Sequence, residues 1–310
     1  MTTTARPRRK YDGPSSEETL VSDLISLMES SDLPPWRREW SGHQGEHRNL
    51  LSGHIYRGSN PILLELGSLL RGHSLPLWLG AAEAKAQGWF PRKGSKAVRI
   101  IRPQLNKRED ENPATGETEL RAWVSYKPVC VFNASDLTGG DEPSSEALAA
   151  AIASALGTIT PATTEARVLA AETVLGSWPV QTTYGGARAC YLPSVDQIRM
   201  PDRGDFTSPE TFCATWAHEQ AHSTGHTSRL DRNLTGSHGS QTYAREELVA
   251  ELASVLICYR LQISCSLSNH AAYLKDWASI LKEGGPRTLF SVLSDARKAA
   301  DLIAPEPISE

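Results

Sequence analysis

The sequence predicts an α+β protein of two domains, a small mixed domain followed by a mainly helical domain with a short sheet. β-branched and aromatic runs typical of strands are prominent in the first half, whereas helical periodicity dominates the second. A stretch rich in Gly, Ser, Pro and acidic residues separates them. The predicted parts are a flexible basic arm at 1–14, the first domain at 15–135, a linker at 136–147 and the second domain at 148–310.

Composition indicates a globular protein whose halves have different partners. Of the 310 residues, 39% are hydrophobic and 22% are charged, as in folded rather than disordered chains. Lys+Arg and Asp+Glu number 19 and 16 in residues 1–140, but 13 and 20 in residues 141–310. Five cysteines without C-x-x-C spacing predict reduced thiols in the cytoplasm. No apolar run approaches the ~20 residues that span a membrane, and no secretory signal is expected.

The first domain is predicted to begin with three helices. Ser15 and Glu18 form a capping-box pattern ahead of the first helix. Asn60 followed by Pro61 predicts the start of the second. A short third helix is predicted at 81–87, ending at a glycine.

Strands follow these helices. The segment 96–101 is predicted as a strand, and 119–133 as two strands broken near Pro128. Between them, the polar segment 106–119 predicts a hairpin loop.

Helices dominate the second domain. They are predicted over 144–156, 162–175, 208–224, 244–262, 268–283 and 288–303, with short strands at 188–193 and 196–201.

A metal-binding motif lies within one of these helices. The stretch TWAHEQAHSTGH contains His218, Glu219 and His222 in the order H-E-x-x-H. On a helix the two histidines share one face, one turn apart, and Glu219 can reach a water bound to the same ion. Ser208 as N-cap and Pro209 at the first position predict that the helix begins just ahead of the motif.

A later helix supplies the third ligand. Residues 243–256 carry Glu246, Glu247 and Glu251, and the E-x-x-A-E spacing is similar to the E-x-x-A-D of helical metallopeptidases. We expect Glu247 to bind the ion and Glu251 to hold a ligand histidine by its other ring N–H, or the two roles to be exchanged. Two histidines, a glutamate and one open position form the catalytic type of zinc site, although Mn²⁺ also suits these ligands.

His226 is an alternative third ligand. The longer pattern H-E-x-x-H-x-x-G-x-x-H requires a histidine at position 228, where this chain has Ser228. His226 itself, four residues after His222, stays open as a ligand or substrate contact. In the turn that follows, Arg229 and Arg232 are predicted to pair with acids.

The first half carries a pattern typical of single-strand nucleic-acid binding. Five of the eight tryptophans lie in residues 1–140, interleaved with positive charge. Aromatic faces stack on bases and cations contact phosphates. The alternative is that the tryptophans are core and the charges only solvate a surface. The candidate DNA-binding residues are Trp36, Arg37, Arg38, Trp89, Arg92, Lys93, Lys96 and Arg99.

Taken together, these motifs resemble the ArdC-type antirestriction proteins, whose N-terminal domain is related to part of the TraC-like plasmid primases. The resemblance rests on the motifs PWRREW, NLLSGHIYRGSNP, GWFPRKGSK, VFNASDLTG, YLPSVDQIRMP, HEQAHSTGHTSRLDR and YAREELVAELAS. It implies a single-stranded-DNA-binding domain followed by a zincin-like metallopeptidase domain, on a protein of a conjugative plasmid. It also implies protection of incoming plasmid DNA, by coating it, by cleaving a host protein such as one of the restriction system, or by both. The chain departs from the family at LWLG, where a threonine is common, which leaves base contacts near Trp78 uncertain.

Three functional hypotheses follow. The chain is a metallopeptidase directed by DNA binding, with Glu219 as general base, the segment 186–201 aligning a peptide and Tyr243 stabilising an oxyanion. Alternatively, it is a DNA-binding protector whose metal is structural. A metal-dependent nuclease is the least favoured, because the sequence shows no second carboxylate cluster for a two-metal site.

Overall fold

The computed structural model of the chain describes residues 16–30, 46–111, 118–157, 162–265 and 273–306, and the predicted arm at 1–14 lies outside these ranges. In the first half, the elements are α1 (Ser16–Ser30), β1 (Arg48–Asn49), α2 (Asn60–Arg71), β2 (Leu77–Gly80), α3 (Ala81–Ala86), β3 (Trp89–Pro91), β4 (Val98–Glu111), β5 (Thr118–Asn133) and β6 (Leu137–Gly139). One sheet has the order β1-β2-β5-β4, with β1 and β2 parallel and the other pairs antiparallel. A second, antiparallel sheet pairs β3 with β6.

The second half is mainly helical. Together with the sheets of the first half, this confirms the predicted α+β class. Its elements are α4 (Glu142–Gly157), α5 (Thr164–Gly176), β7 (Gln181–Tyr184), β8 (Cys190–Leu192), β9 (Gln197–Met200), α6 (Pro209–Ser223), α7 (Gln241–Leu261) and α8 (Leu274–Ile303). The three strands form a sheet of order β7-β9-β8, which packs against α6. In turn α6 packs on α7, and α7 on α8. Among the helices of the described ranges, none combines the length and apolar character that crossing a bilayer requires.

A kink replaces the predicted break between the last two helices. At Gly285 the backbone has φ 56° and ψ −150°, outside the helical region, and Pro286 follows it. Glycine adopts a positive φ without the steric cost that a Cβ would impose. The chain therefore bends at this point and continues as helix to Ile303.

The β4–β5 hairpin corrects two sequence predictions. Strand β5 runs without a break through Pro128, which lies opposite Ile101. On its other side β5 pairs with β2 only at residues 131–133, so a proline at 128 removes no hydrogen bond to β2. Most of the predicted loop at 106–119 is also strand, because β4 extends to Glu111 and β5 begins at Thr118.

The predicted linker at 136–147 contains regular structure. It holds β6, which pairs with β3 of the first half, and the first turns of α4. Helix α4 packs against both of these strands. The position of the domain boundary stays a prediction.

The main hydrophobic core includes residues of both halves. Helix α1 packs along α8, and α2 contacts α7. Val21, Leu24 and Met28 of α1 are buried in one cluster with Leu248 of α7 and Trp277 of α8. The helices that frame the second half are therefore packed against helices of the first.

Candidate functional site

The H-E-x-x-H motif lies in the C-terminal half of α6. The helix begins as predicted, with the Oγ of Ser208 accepting a hydrogen bond from the backbone N–H of Thr211 (3.1 Å). One turn apart on α6, His218 is buried and His222 is half-buried. Their Nε2 atoms are 3.1 Å apart, so both rings face the same point.

Helix α7 brings a carboxylate to that point. One Glu247 oxygen lies 3.7 Å from His218 Nε2, and the other lies 3.6 Å from His222 Nε2. Within the described ranges, these three residues form a group whose ligand atoms all lie within 4.8 Å of one another. Ligand atoms on a tetrahedral zinc ion are about 3.4 Å apart. Both the spacing and the donor set, two imidazoles and one carboxylate, therefore fit a single divalent ion.

Two more carboxylates of α7 lie behind the histidines. A Glu251 oxygen is 3.8 Å from His218 Nδ1, and a Glu246 oxygen is 3.3 Å from His222 Nδ1. Such outer partners fix the orientation of a metal-binding ring. The structure thus places Glu247 on the ligand side of His218 and Glu251 on its opposite side. The sequence pattern alone did not indicate this role for Glu246.

Glu246 is held by the turn that follows α6. Arg232 donates from Nε and Nη2 to the two carboxylate oxygens of Glu246 (2.9 and 2.7 Å), and from Nη1 to Thr224 Oγ1 (2.7 Å). Both members of this ion pair are buried. Arg229 pairs with Asp196 in the same way, which confirms that the two arginines pair with acids.

Electrostatic coupling favours ionised carboxylates at the site. Burial would raise the pKa of Glu247, but hydrogen bonds and charges from His218 and His222 lower it well below its usual value. Burial likewise opposes ionisation of Glu246, and Arg232 and His222 hold its pKa low. Burial would lower the pKa of His222, but Glu246 and Glu247 raise it. The carboxylates thus concentrate negative charge where a cation would bind.

The ligand group opens onto a cleft of about 600 Å³. Glu219 lines this cleft next to the ligand group and is mostly buried. It is therefore placed beside the candidate ion without being a member of the ligand group. Other lining residues include Arg188, Cys190, Tyr191, Phe206, Tyr243 and Tyr273.

An edge strand and a tyrosine pair flank the cleft. β8 is an outer strand of its sheet, and its residues Cys190 and Tyr191 line the cleft. The hydroxyl groups of Tyr243 and Tyr273 are 3.2 Å apart. Burial, the hydrogen bond to Tyr273 and the charge of Glu247 raise the pKa of Tyr243, so its phenol stays protonated at neutral pH.

His226 lies outside the ligand group. It follows α6, and its Nδ1 is 2.8 Å from Ser228 Oγ. It does not line the cleft. The geometry therefore favours Glu247 over His226 as the third ligand.

Of the residues predicted to bind nucleic acid, three are not described by the structure and one is buried. Trp36, Arg37 and Arg38 lie outside the described ranges. Trp89 is only 3% exposed, and its Nε1 donates to the backbone oxygen of Ser144 (2.9 Å). This corrects the prediction for Trp89, because a core side chain offers no face to a base.

Phe90 is the aromatic residue that faces outward. Neighbouring residues of a strand point to opposite sides, so the burial of Trp89 directs Phe90 to the surface, where it is 42% exposed. Strand alternation over GWFP was the signal in the sequence that only one of the two rings could be accessible.

The basic loop between β3 and β4 is at the surface. Arg92, Lys93 and Lys96 are exposed, whereas Arg99 forms an ion pair with Glu17 of α1. That pair raises the pKa of Arg99 and partly neutralises its charge as a phosphate contact. Among the members of the predicted set that the structure describes, the three loop cations are therefore the accessible ones.

Family comparisons match both halves of the chain. Residues 15–132 match the family described as the N-terminal domain of anti-restriction factor ArdC. Residues 169–294 match the family described as zincin-like metallopeptidase. The second match contains all of the candidate ligands.

Curated relatives include two proteins from Escherichia coli named DNA primase TraC, 33% and 31% identical over 306 residues. The matches cover 92% of this chain but only 27% and 20% of those proteins, so this chain spans about a quarter of their length. An uncharacterised protein, y4eC of Sinorhizobium fredii (strain NBRC 101917 / NGR234), is 28% identical, with 97% of this chain and 94% of that protein covered.

Solved structures of the antirestriction ArdC protein from plasmid R388 share the fold. The metal-free structure is 30% identical, has a TM-score of 0.65, and the match covers 94% of this chain and 97% of that one. The Mn(II)-bound structure is 27% identical, with a TM-score of 0.64 and 93% and 97% of the two chains covered. Since the likeness extends over nearly the full length of both chains and keeps the order of both domains, the chain belongs to the ArdC antirestriction family.

Proposed function

We propose that this protein, carried by a conjugative plasmid and acting in the cytoplasm, binds single-stranded DNA and protects incoming plasmid DNA from host restriction by metal-dependent peptide hydrolysis. The observation that carries the hydrolytic part is the convergence of His218, His222 and Glu247 at the floor of an open cleft, with Glu219 beside them. A host restriction protein is the proposed substrate.

The ion would be held by the two Nε2 atoms and the Glu247 carboxylate. Imidazole and carboxylate ligands with an open side are typical of catalytic zinc, so we propose Zn²⁺ as the resident ion. Mn²⁺ is the ion in one solved ArdC structure and is the alternative here. Such an ion, when bound, supplies Lewis-acid polarisation of a carbonyl and a water whose pKa is about 7.

The chain's own residues supply the proton transfers and the positioning. Glu219 accepts a proton from the attacking water at a carboxylate oxygen and passes it to the leaving amine. The protonated Tyr243 hydroxyl donates to the developing oxyanion, and Tyr273 holds that hydroxyl in place. The exposed edge of β8 pairs with an extended peptide in the cleft.

Single-stranded DNA binding is assigned to the loop between β3 and β4. Arg92, Lys93 and Lys96 give three accessible charges for phosphates, and exposed Phe90 gives a ring for a base. This support is independent of the metal site, so the two activities can be tested separately.

A structural role for the metal is the second candidate. The network from His222 through Glu246 to Arg232 and Thr224 connects the ligand group to the turn after α6. An ion at the site would therefore also hold this turn in its conformation. In this case the protein protects DNA by binding alone, and Glu219 does not act as a general base.

Substituting Glu219→Gln is expected to abolish protection in a plasmid-transfer assay into a restricting host. Gln cannot accept the proton, and loss of a general base typically slows a reaction by about 10²–10⁴-fold. Metal content and affinity for an oligo(dT) strand should be unchanged. Glu165→Gln, which changes an exposed carboxylate of α5, is the matched control.

The same assay separates the two candidates. If Glu219→Gln protects fully while Arg92/Lys93/Lys96→Gln does not, the protein is a DNA shield and the hydrolytic proposal is wrong. If purified wild-type protein does not bind oligo(dT), the DNA-binding part is wrong whatever the result for Glu219.

A further inference from the structure

The cleft beside the ligand group has a single Lys or Arg side chain along its lining in the described part of the chain. This residue is Arg188, in the loop between β7 and β8. Arg188 is exposed, and within the described ranges it forms no ion pair. A guanidinium group offers several donors in a fixed plane that matches a carboxylate. Arg188 is therefore available to an anionic group of a molecule bound in the cleft.

The negative charges that line the cleft are already compensated. Glu246 is paired with Arg232. Glu219 and Glu247 contribute two negative charges, which a divalent ion in the ligand group would balance. With such an ion bound, Arg188 gives the cleft a net positive charge, which favours an acidic ligand over a neutral or basic one.

Arg188 lies close to the proposed general base along the cleft. It precedes Cys190, the first residue of β8, by two positions, so their Cα atoms are at most about 7 Å apart. Burial and the charge of Glu219 raise the pKa of the Cys190 thiol, whereas the charges of Arg199 and Arg188 lower it. The charges of Glu219 and Arg188 thus act on the same thiol. Arg188 is therefore within a few residue lengths of the bond that Glu219 would help to cleave.

Strand β8 gives this charge a defined position relative to an extended peptide. It pairs with β9 on one side, and its residues Cys190 and Tyr191 line the cleft. A peptide that adds to such an edge gains affinity from main-chain hydrogen bonds and specificity from its alternate side chains. Side chains on one face of a strand are two residues apart. A peptide residue beside Arg188 is thus about two positions from the residue beside Cys190.

We propose that Arg188 selects peptide substrates with a Glu or Asp side chain within about two residues of the cleaved bond, by pairing its guanidinium with that carboxylate. The inference rests on the proposed hydrolytic function and names the substrate class of the same site. Arg188 is a specificity-determining residue, because it contacts the substrate away from the reacting atoms.

The test measures the affinity of peptide hydroxamates for the full-length, Zn²⁺-loaded protein by isothermal titration calorimetry. The hydroxamate binds the ion and fixes the register. The peptide runs to one side of the ion in acetyl-Ala-X-Ala-NHOH and to the other in HONH-succinyl-Ala-X-Ala-amide. X is Glu, Gln or Lys, and it is also moved to either neighbouring position. We expect Glu to bind about tenfold more tightly than Gln in one of the two series, as a charge-assisted guanidinium–carboxylate pair provides.

Substitutions at Arg188 should change this preference in a defined direction. Arg188→Gln should lose the preference for Glu and leave the affinity of the Gln peptide unchanged. Arg188→Glu should bind the Lys peptide more tightly than the Glu peptide. Since Arg188 is exposed and forms no ion pair in the described ranges, its replacement should not change the melting temperature, which excludes misfolding as the cause of weaker binding.

Arg199→Gln is the matched control. Arg199 is exposed on β9 and is the Cα partner of Cys190, but it does not line the cleft. Its replacement removes the same charge from the same sheet and should keep most of the preference for Glu. A second control compares a free C-terminal carboxylate with an amide in the succinyl series with X as Gln, because a chain terminus offers the same chemistry as a Glu side chain.

Four outcomes would overturn the inference and leave the proposed function standing. The first is equal affinity of the Glu and Gln peptides for the wild type, or a preference that survives Arg188→Gln. The second is an equal loss of preference in Arg199→Gln, which indicates a general positive surface. The third is a preference for the terminal carboxylate alone. The fourth is weaker binding of oligo(dT) by Arg188→Gln, which assigns the residue to nucleic acid.

A fifth outcome separates this inference from the function on which it rests. If no hydroxamate binds the wild-type protein while elemental analysis shows Zn²⁺ to be present, the ion has no open position in the cleft. The hydrolytic part of the proposed function is then wrong, and the selection by Arg188 is wrong with it.

Discussion

Replacing Glu247 with Ala is expected to abolish the stabilisation of the protein by Zn²⁺. The substitution removes one of three ligands and leaves two imidazole nitrogens 3.1 Å apart. In the wild type, an ion at a hundredfold excess over its Kd should add about 2.7 kcal/mol to the free energy of unfolding, raising the melting temperature by several degrees. Thermal melts with Zn²⁺ and with a chelator measure this difference, and elemental analysis gives the bound metal.

Two further variants separate the ligand assignments. Glu251→Gln should still bind the ion, with an affinity about 10–100-fold lower, because Glu251 only orients His218. His226→Ala should behave as wild type, since His226 pairs with Ser228 outside the ligand group. If Glu251→Gln loses the ion and Glu247→Ala keeps it, the two glutamates have exchanged roles.

Replacing Arg232 with Met is expected to destabilise the fold by about 3–5 kcal/mol, because it leaves a buried carboxylate without its arginine partner. Arg232 donates to both oxygens of Glu246, and both side chains are buried. The same change removes the hydrogen bond that Thr224 Oγ1 accepts from Arg232. Chemical denaturation, performed with a chelator so that metal binding does not contribute, measures the loss.

The exposed pair of Arg297 and Asp301 provides the control. Its side chains are 36% and 37% exposed, so Arg297→Met should cost no more than about 1 kcal/mol. Combining Arg232→Met with Glu246→Leu should recover much of the lost stability, since both buried charges are then absent. A single Arg232→Met variant as stable as the Arg297→Met control would refute the assignment.

The residues around the candidate ion were predictable from the sequence because they are spaced one turn apart within single helices. In α6 the two histidines are one helical turn apart, and Ser208 caps the helix as its sequence context indicated. The E-x-x-A-E spacing on α7 led to Glu247 and Glu251, which lie near His218 on opposite sides of the ring. The two histidines and the two glutamates are each a pair of residues four apart on one helix.

Glu246 was harder to predict because its partners come from two other segments. It lies next to Glu247 in sequence, and only the fold of the turn after α6 brings Arg232 to it. The sequence indicated that Arg232 would pair with an acid but not with which one. Tertiary contacts of this kind have no periodicity that a sequence pattern can detect.

Two predictions for the first half were wrong, each for a different physical reason. Trp89 and Phe90 are adjacent aromatic residues on one short strand, and composition does not say which of them faces the core. Residues 106–111 at the outer end of β4 are all polar or charged, so this part of the strand lacks the apolar alternation that identifies a half-buried strand. The segment was therefore predicted as a loop.

The shared core has a consequence for the inheritance of this chain. Because Val21, Leu24 and Met28 are buried against helices of the second half, a gene fragment encoding either half alone would produce a protein with an uncovered apolar surface. Recombination between the halves is thus penalised, and transfer of both together is not. The TraC matches agree with this, since 92% of this chain is found as one block within proteins several times longer. We therefore expect the two halves to be inherited together.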